Sequence, residues 1–410
     1  MDNRILLQKP LPSDGFALRL AIFYVAVFFI VGCYLPFLPL WLKWRGLTDF
    51  QISLAYAAPI FLRALFIPVM TFAADRSGRP AQMLLFLSWG TLFSVVLLPL
   101  AEGFPAIFAV IILYTLFWMS VVPLTESVTL AGARIGRGDY GRIRVWGSLS
   151  FVAMTLAGGA AIDLWGPGAT IWLFIGSAAW VLVSVHLLPK DPAGAALHEA
   201  QTKPKVRIAD LLRLIRKPDL WLFLLATSAI QSAHAVYYVF GSVHWTSSGI
   251  SPTAVGALWA IGVIAEIVLF ICARSLGRWF GPVQLIALGG VAAILRWSVI
   301  GTNPPLLVLF VAQMLHGLTF GAAHMGAMQF MTAAVPPHMA TSAQGLYASI
   351  TAGIAMGLAS LAAGPLYRTY AGDAYFAMAL LGGTGLIFAL LLIRRWRGGL
   401  IVGGQETRCG

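Results

Sequence analysis

Residues 17–42 read ALRLAIFYVAVFFIVGCYLPFLPLWL, with Arg19 their one charged side chain. A helix crosses the hydrocarbon core of a membrane in about 20 apolar residues, so this run is long enough to span it. The sixteen residues before it are mixed and polar, as they would be ahead of a signal peptide. The run is longer than a typical signal core and many like it follow, so it is expected to be a first span.

Working outward, apolar runs bounded by polar or Gly/Pro breaks place further spans at 51–74, 82–100, 105–132, 143–162 and 168–188. A second series follows at 219–245, 253–273, 283–301, 305–334, 340–366 and 374–393. Composition agrees: the AVILMFWYC set makes up 59% of 410 residues and charged residues 10%, where a soluble domain carries about 25% charged residues. Such a chain cannot cover its surface with polar groups, and the lipid bilayer is its expected solvent. Cys33, Cys272 and Cys409 lie far apart, with neither a disulfide framework nor metal-ligand spacing.

Charge orients the spans. Of 27 Lys and Arg, Lys43, Arg45 and Arg368 fall in loops on one side, and Arg63 and Arg296 fall inside spans. All the others lie at or beyond span ends on the opposite side. The positive-inside rule makes that side cytoplasmic, with both termini there. The net charge of +12 then needs no nucleic acid, whose binders gather basic residues on a soluble face. The one long polar connection, 189–218, holds seven Lys/Arg and four prolines. It reads as a cytoplasmic linker between an N-terminal six-helix bundle, 1–188, and a C-terminal bundle with a short tail, 219–410.

Shifting the chain by 203 positions brings Tyr34 onto Tyr237, Phe37 onto Phe240, Gly46 onto Gly249 and Ala57 onto Ala260. The same register sets Arg63 against Glu266. Parallel repeats of this kind describe two pseudo-symmetric halves holding a solute at the midplane.

Ionisable groups inside spans are costly and by default mark a solute or ion pathway, the alternative being pairs that lock helices together. Arg63 stands midway along its span, Glu126 follows Pro123 in the fourth, and Arg144 opens the fifth. An Arg facing a carboxylate grips polar or anionic solutes. His234, Glu266, Arg296 and His316 lie well inside later spans. His324, two turns beyond His316, would sit about 80° around a regular helix from it. Glu and His can both gain and lose a proton, which points to proton coupling. Tyr34 and Tyr237, as repeat mates, are expected to face the cavity.

The segment Thr71-Phe-Ala-Ala-Asp75-Arg76-Ser-Gly78-Arg79 resembles the major facilitator signature G-x-x-x-D-R-x-G-R, with Thr71 at the first glycine. Gly32-Cys-Tyr-Leu-Pro-Phe37, Pro123-Leu-Thr-Glu126-Ser, Tyr140-Gly-Arg-Ile-Arg144-Val-Trp-Gly147 and Leu315-His316-Gly-Leu-Thr-Phe-Gly-Ala-Ala-His324 look like the phenylpropionate permease group of that superfamily. That group is similar in turn to lactose permease and the proton-coupled sugar symporters. The resemblance covers most of the chain and implies an all-α membrane protein of twelve transmembrane helices, a bacterial inner-membrane transporter and not an enzyme. It implies that Asp75, Arg76, Gly78 and Arg79 gate the cytoplasmic side. Glu126 and Arg144 match substrate-binding positions, joined here by Tyr34, Arg63 and Tyr237. Glu266, Arg296 and His316 match the proton-coupling cluster, with His324 added. One departure matters: lactose permease carries an acid one turn after that His, and this chain has Thr319; a Lys one turn before is Gln313.

These features make the chain a monomeric secondary transporter of a small organic solute, an aromatic carboxylate such as phenylpropionate, with no cofactor beyond a coupling proton. A sugar or nucleoside suits the Glu126–Arg144 pair equally, and a drug or metabolite exporter is a further alternative. An intramembrane enzyme lacks any catalytic spacing to support it. A sensor would be expected to carry a soluble signalling domain.

Overall fold

The computed structural model describes residues 15–77, 79–188 and 208–402. Twelve long helices run through them, numbered here in chain order. In the first half they are α1 (Phe16–Trp44), α2 (Asp49–Ser77), α3 (Pro80–Leu97), α4 (Gly103–Arg134), α5 (Tyr140–Trp165) and α6 (Ala169–Val185). In the second half are α7 (Pro218–Ser247), α8 (Pro252–Ile271), α9 (Pro282–Gly301) and α10 (Leu306–Ala334). They are followed by α11, which runs from Ala340 to Tyr370 through three joined segments, and α12 (Ala374–Arg395). Nine apolar stretches among the described residues meet the length and hydropathy of a membrane span, the last of which, Ser342–Arg395, holds α11 and α12 together. The remaining two helices are α2, which carries Arg63, and α6, apolar but 17 residues long.

Each helix agrees with its sequence-derived span to within a few residues. Residues 189–207 of the expected linker lie outside the described residues, and its end forms a short helix, Ile208–Ile215. Helix boundaries follow local chemistry. Asp139 caps α5 by accepting from the Arg142 amide, and Ser251 caps α8 by accepting from the Ala254 amide. Pro opens α3, α7, α8 and α9, where its missing N–H leaves no bond unmade.

Four helices depart from regular form inside their spans, among them α11, which is π-helical over Ala348–Ala355. α4 is interrupted between Trp118 and Val121, because Pro123 has no N–H to offer the Met119 carbonyl. α7 breaks at Ala233–His234. α10 widens into a π-helical stretch at Gly317–Ala322.

The basic ends of the helices lie on one side, and the buried apolar residues show how the halves meet. One cluster runs through the whole first half and continues into the far ends of α7, α8, α9, α11 and α12, through Trp245, Val255, Trp297, Tyr367 and Tyr375. A separate cluster fills the basic end of the second half, around Phe223, Phe330, Ala343 and Leu392. The halves are therefore fused at the far end and parted at the basic end. At the far end α5 and α8 pack backbone to backbone. A methyl group on Gly159 would fall on the Pro252 carbonyl, and one on Gly256 on the Thr155 carbonyl. Just beyond, the Thr253 amide and hydroxyl both donate to Asp163 Oδ2, the amide at 2.8 Å. α2 and α11 also cross closely, where a methyl group on Gly364 would fall against Ser53 and the Asp49 carbonyl.

Candidate functional site

Where the halves part, a cavity of about 810 Å³ runs from Leu35, Tyr237 and Trp259 at mid-helix to Tyr140 and Ile271 at the basic ends of α5 and α8. Its first-half wall carries Glu126 from α4 and Arg144 from α5. The Arg144 Nε stands 3.8 Å from Glu126 Oε1, both side chains about one-third exposed at 28% and 37%. The interruption of α4 at Met119–Ser120 sets the direction of the segment bearing Glu126. The Arg144 guanidinium lies 4.1 Å over the Phe28 ring and 5.6 Å from Tyr24, so aromatic faces and a carboxylate hold it together.

The second-half wall carries Glu266 from α8, with His316, Phe320 and His324 from α10. His316 and Phe320 stack at 5.5 Å and 15°, and Phe320 and His324 at 6.0 Å and 8°. A regular helix would turn His324 about 80° away from His316. The wide turn of the π-helical stretch absorbs that angle, and all three rings form a ladder on one face. Glu266 Oε2 stands 3.9 Å from His316 Nε2.

Behind this wall Arg296 is fully buried. It donates to His316 Nδ1 at 2.9 Å, Thr319 Oγ1 at 3.0 Å and Gln313 Oε1. Its guanidinium sits 4.3 Å from the Trp297 ring and 4.9 Å from Tyr237. Tyr237 stacks on Trp259 at 4.3 Å, and the Trp259 indole is held by Ser242 at 2.9 Å. Glu266, Arg296 and His316 thus meet in one cluster, with His324 further along the same wall, while Glu126 and Arg144 meet across from them. The expected site residues Tyr34 and Arg63 stand apart from this lining. Tyr34 packs into a ring cluster with Tyr56, Tyr114 and Phe174 at 5.6, 5.7 and 6.0 Å, and Arg63 lies beside Tyr34 and Tyr114. Leu35 occupies the wall at that level.

Twelve helices in two halves around a central cavity have a counterpart in sequence, since residues 17–378 match the family model described as MFS_1 like family. The chain belongs to that family. Its members are major facilitator transporters, and this chain is a secondary transporter of that type, a membrane protein and not an enzyme. It is 29% identical over 362 residues to a "Probable 3-phenylpropionic acid transporter" of Escherichia coli (strain K12), covering 88% of this chain and 94% of that protein. It is 26% identical over 382 residues to a "Maltose permease" of Geobacillus stearothermophilus, covering 92% and 94%. Among solved structures it resembles the nucleoside transporter NupG, with TM-score 0.79, 16% identity and coverage of 92% and 98%. A D-xylose-proton symporter superposes with TM-score 0.66 at 12% identity, over 92% and 97% of the two chains.

In this MFS_1 like chain the segment expected to gate falls at the turn between α2 and α3. Asp75 and Arg76 lie in the last turn of α2 and Arg79 directly before α3, while Gly78 lies outside the described residues. Sequence reasoning left Tyr238, Trp259 and Phe320 out of the cavity, though aromatic residues near the Glu266 and His316 levels were a usable signal. His234, expected only as an in-span ionisable group, lies behind the wall. That side chain is fully buried, with Nδ1 3.0 Å from the Gln231 carbonyl and Nε2 3.0 Å from Thr319 Oγ1. The break in α7 frees the carbonyl that it uses.

Proposed function

We propose that this chain is a proton-coupled symporter of a small aromatic carboxylate, working in a bacterial inner membrane with both termini cytoplasmic. The observation that carries the reading is the cavity's pairing of walls. One presents an arginine held by a carboxylate, Arg144 with Glu126, and the other a proton-accepting carboxylate beside an imidazole, Glu266 with His316. Between them Tyr237, Tyr238, Trp259, Phe151 and Phe320 offer ring faces to an aromatic solute. The similarity to a probable 3-phenylpropionic acid transporter supports the same class of solute. The excess of Lys and Arg at the cavity's open end supports a cytoplasmic assignment for that end. On this reading the described state is inward-open, and import ends with release from it. Rocking of the halves then closes the basic end and opens the far one.

A sugar or nucleoside is the second reading, favoured by the Glu126–Arg144 pair itself. An arginine already answered by a carboxylate is suited to a neutral polyol, which accepts from one and donates to the other.

The deciding experiment records external pH when solute is added to lightly buffered proteoliposomes. The panel is phenylpropionate, other aromatic acids, galactosides and nucleosides, with Glu266→Gln as control. Alkalinisation with an aromatic acid, absent in the variant, is the expected result. Alkalinisation only with a galactoside or nucleoside would replace the substrate class. Solute entry with no proton movement would reduce the carrier to a facilitator.

A further inference from the structure

Arg296 is a buried cation with no acid beside it among the described residues. Its guanidinium donates to His316, Thr319 and Gln313, all neutral acceptors, and its Nε has no hydrogen-bond partner. No carboxylate lies within ion-pair distance of it among the described residues. An uncompensated buried charge is strongly unfavourable, so the cluster is short by one negative charge close at hand.

The hydrogen bonds also fix where the protons are. A guanidinium has donors only, so His316 Nδ1 must accept from it, and the neutral imidazole carries its proton at Nε2. Glu266 Oε2 stands 3.9 Å from that nitrogen, at the cavity wall. Thr319 accepts from Arg296 and spends its own proton on His234 Nε2, and His234 Nδ1 donates to the Gln231 carbonyl. His234 is saturated and fully buried, so it is not free to exchange a proton with the cavity. The groups facing Glu266 are His316 from α10, Tyr238 from α7 and Arg144 from α5, with His324 further along α10.

We propose that the His316 Nε2–H is a single anion receptor for which the Glu266 carboxylate and the substrate carboxylate compete, so that the carrier moves one organic monoanion with one proton and no net charge. This rests on the proposed carboxylate symport and specifies its charge balance. In the empty carrier Glu266 answers Arg296 through His316, and Glu126 answers Arg144. Protonation of Glu266 removes the first answer. A substrate carboxylate accepting from His316 Nε2 restores it, so the loaded site carries the same charge as the empty one. A neutral solute would leave Arg296 without a counter-charge whenever Glu266 held the proton. Arg296 is thereby a specificity-determining residue acting through His316, and the aromatic wall of Tyr238, Trp259 and Phe320 takes the ring of the same solute.

The test uses the full chain in proteoliposomes with 3-phenylpropionate as probe. With potential clamped, an inward proton gradient should drive accumulation. An inside-negative valinomycin potential without that gradient should change it by less than about twofold, since no net charge crosses. The neutral isostere 3-phenylpropionamide should bind the wild type at least about tenfold more weakly than the acid. In Glu266→Gln, accumulation driven by the proton gradient should be lost, and phenylpropionate binding should no longer weaken as pH rises. Potential-driven accumulation of phenylpropionate, or equal binding of acid and amide, would overturn the inference while leaving carboxylate transport standing. Both are wild-type measurements and hold whether or not the variant folds. Uptake of sugars or nucleosides with no carboxylate taken would overturn the inference and the proposed substrate together.

Discussion

Arg144 shows why side-chain type matters more than charge at this site. Its flat guanidinium lies 4.1 Å over Phe28 while its Nε faces Glu126, and a lysine ammonium can satisfy only one of those demands. Arg144→Lys therefore keeps the charge and loses the stacked, directed geometry. The expected result is a roughly tenfold rise in half-saturation for uptake, from about 1–2 kcal/mol of lost cation–π and positioning energy. Binding by the purified carrier checks it, and unchanged affinity would show that Arg144 acts as a bare positive charge. Glu126, Arg144, Glu266, Arg296 and His316 were legible as a group because ionisable residues are rare inside spans. Thr319 and Gln313 were not legible as partners of Arg296. Uncharged polar residues are common in spans, and only the fold shows which of them turns toward a buried cation.

At the scale of elements, the crossing of α5 and α8 and the form of α10 carry the consequences. Gly159 and Gly256 let the two backbones touch, each glycine set against a carbonyl of the other helix. Gly256→Ala puts a methyl group on the Thr155 carbonyl, and the helices must separate at the far end. Overpacking of this kind costs about 1–3 kcal/mol, so the variant is expected to melt a few degrees lower in detergent and to transport more slowly. A melting temperature equal to wild type would show that the crossing is looser than the backbone contact implies. The π-helical stretch of α10 was hidden from residue spacing, which assumes a regular helix throughout. Its effect is to bring His316, Phe320 and His324 onto one face where a regular helix would splay them.

For the whole molecule, the fused far end and the parted basic end define the state described. The far-end seal joins halves that are remote in sequence, Asp163 on α5 holding Thr253 at the start of α8. Alternating access requires this contact to open. Asp163→Ala removes the acceptor from both Thr253 donors and should shift the carrier toward states open at the far end. In a background lacking Cys33, Cys272 and Cys409, Val263→Cys on the cavity wall reports that opening. A membrane-impermeant thiol reagent applied from the far side should label it about threefold faster or more with Asp163→Ala than without. Equal labelling would remove Asp163 from the seal. Sequence reading missed this acid because it stands at a helix end, where a charge is unremarkable.

The sequence by itself determined that the chain is a membrane protein, placed its twelve spans, and marked its two halves and the charged residues costly enough to need a purpose. Hydrophobic length, the cost of charge in lipid and the bias of Lys and Arg act on each segment separately, so they can be read one segment at a time. Only the tertiary structure decided which side is closed, that Tyr237 lines the cavity while Tyr34 packs away from it, and that Arg296 has neutral partners and no acid among the described residues. Those outcomes depend on how helices far apart in sequence rotate and tilt against one another, and no single segment encodes that.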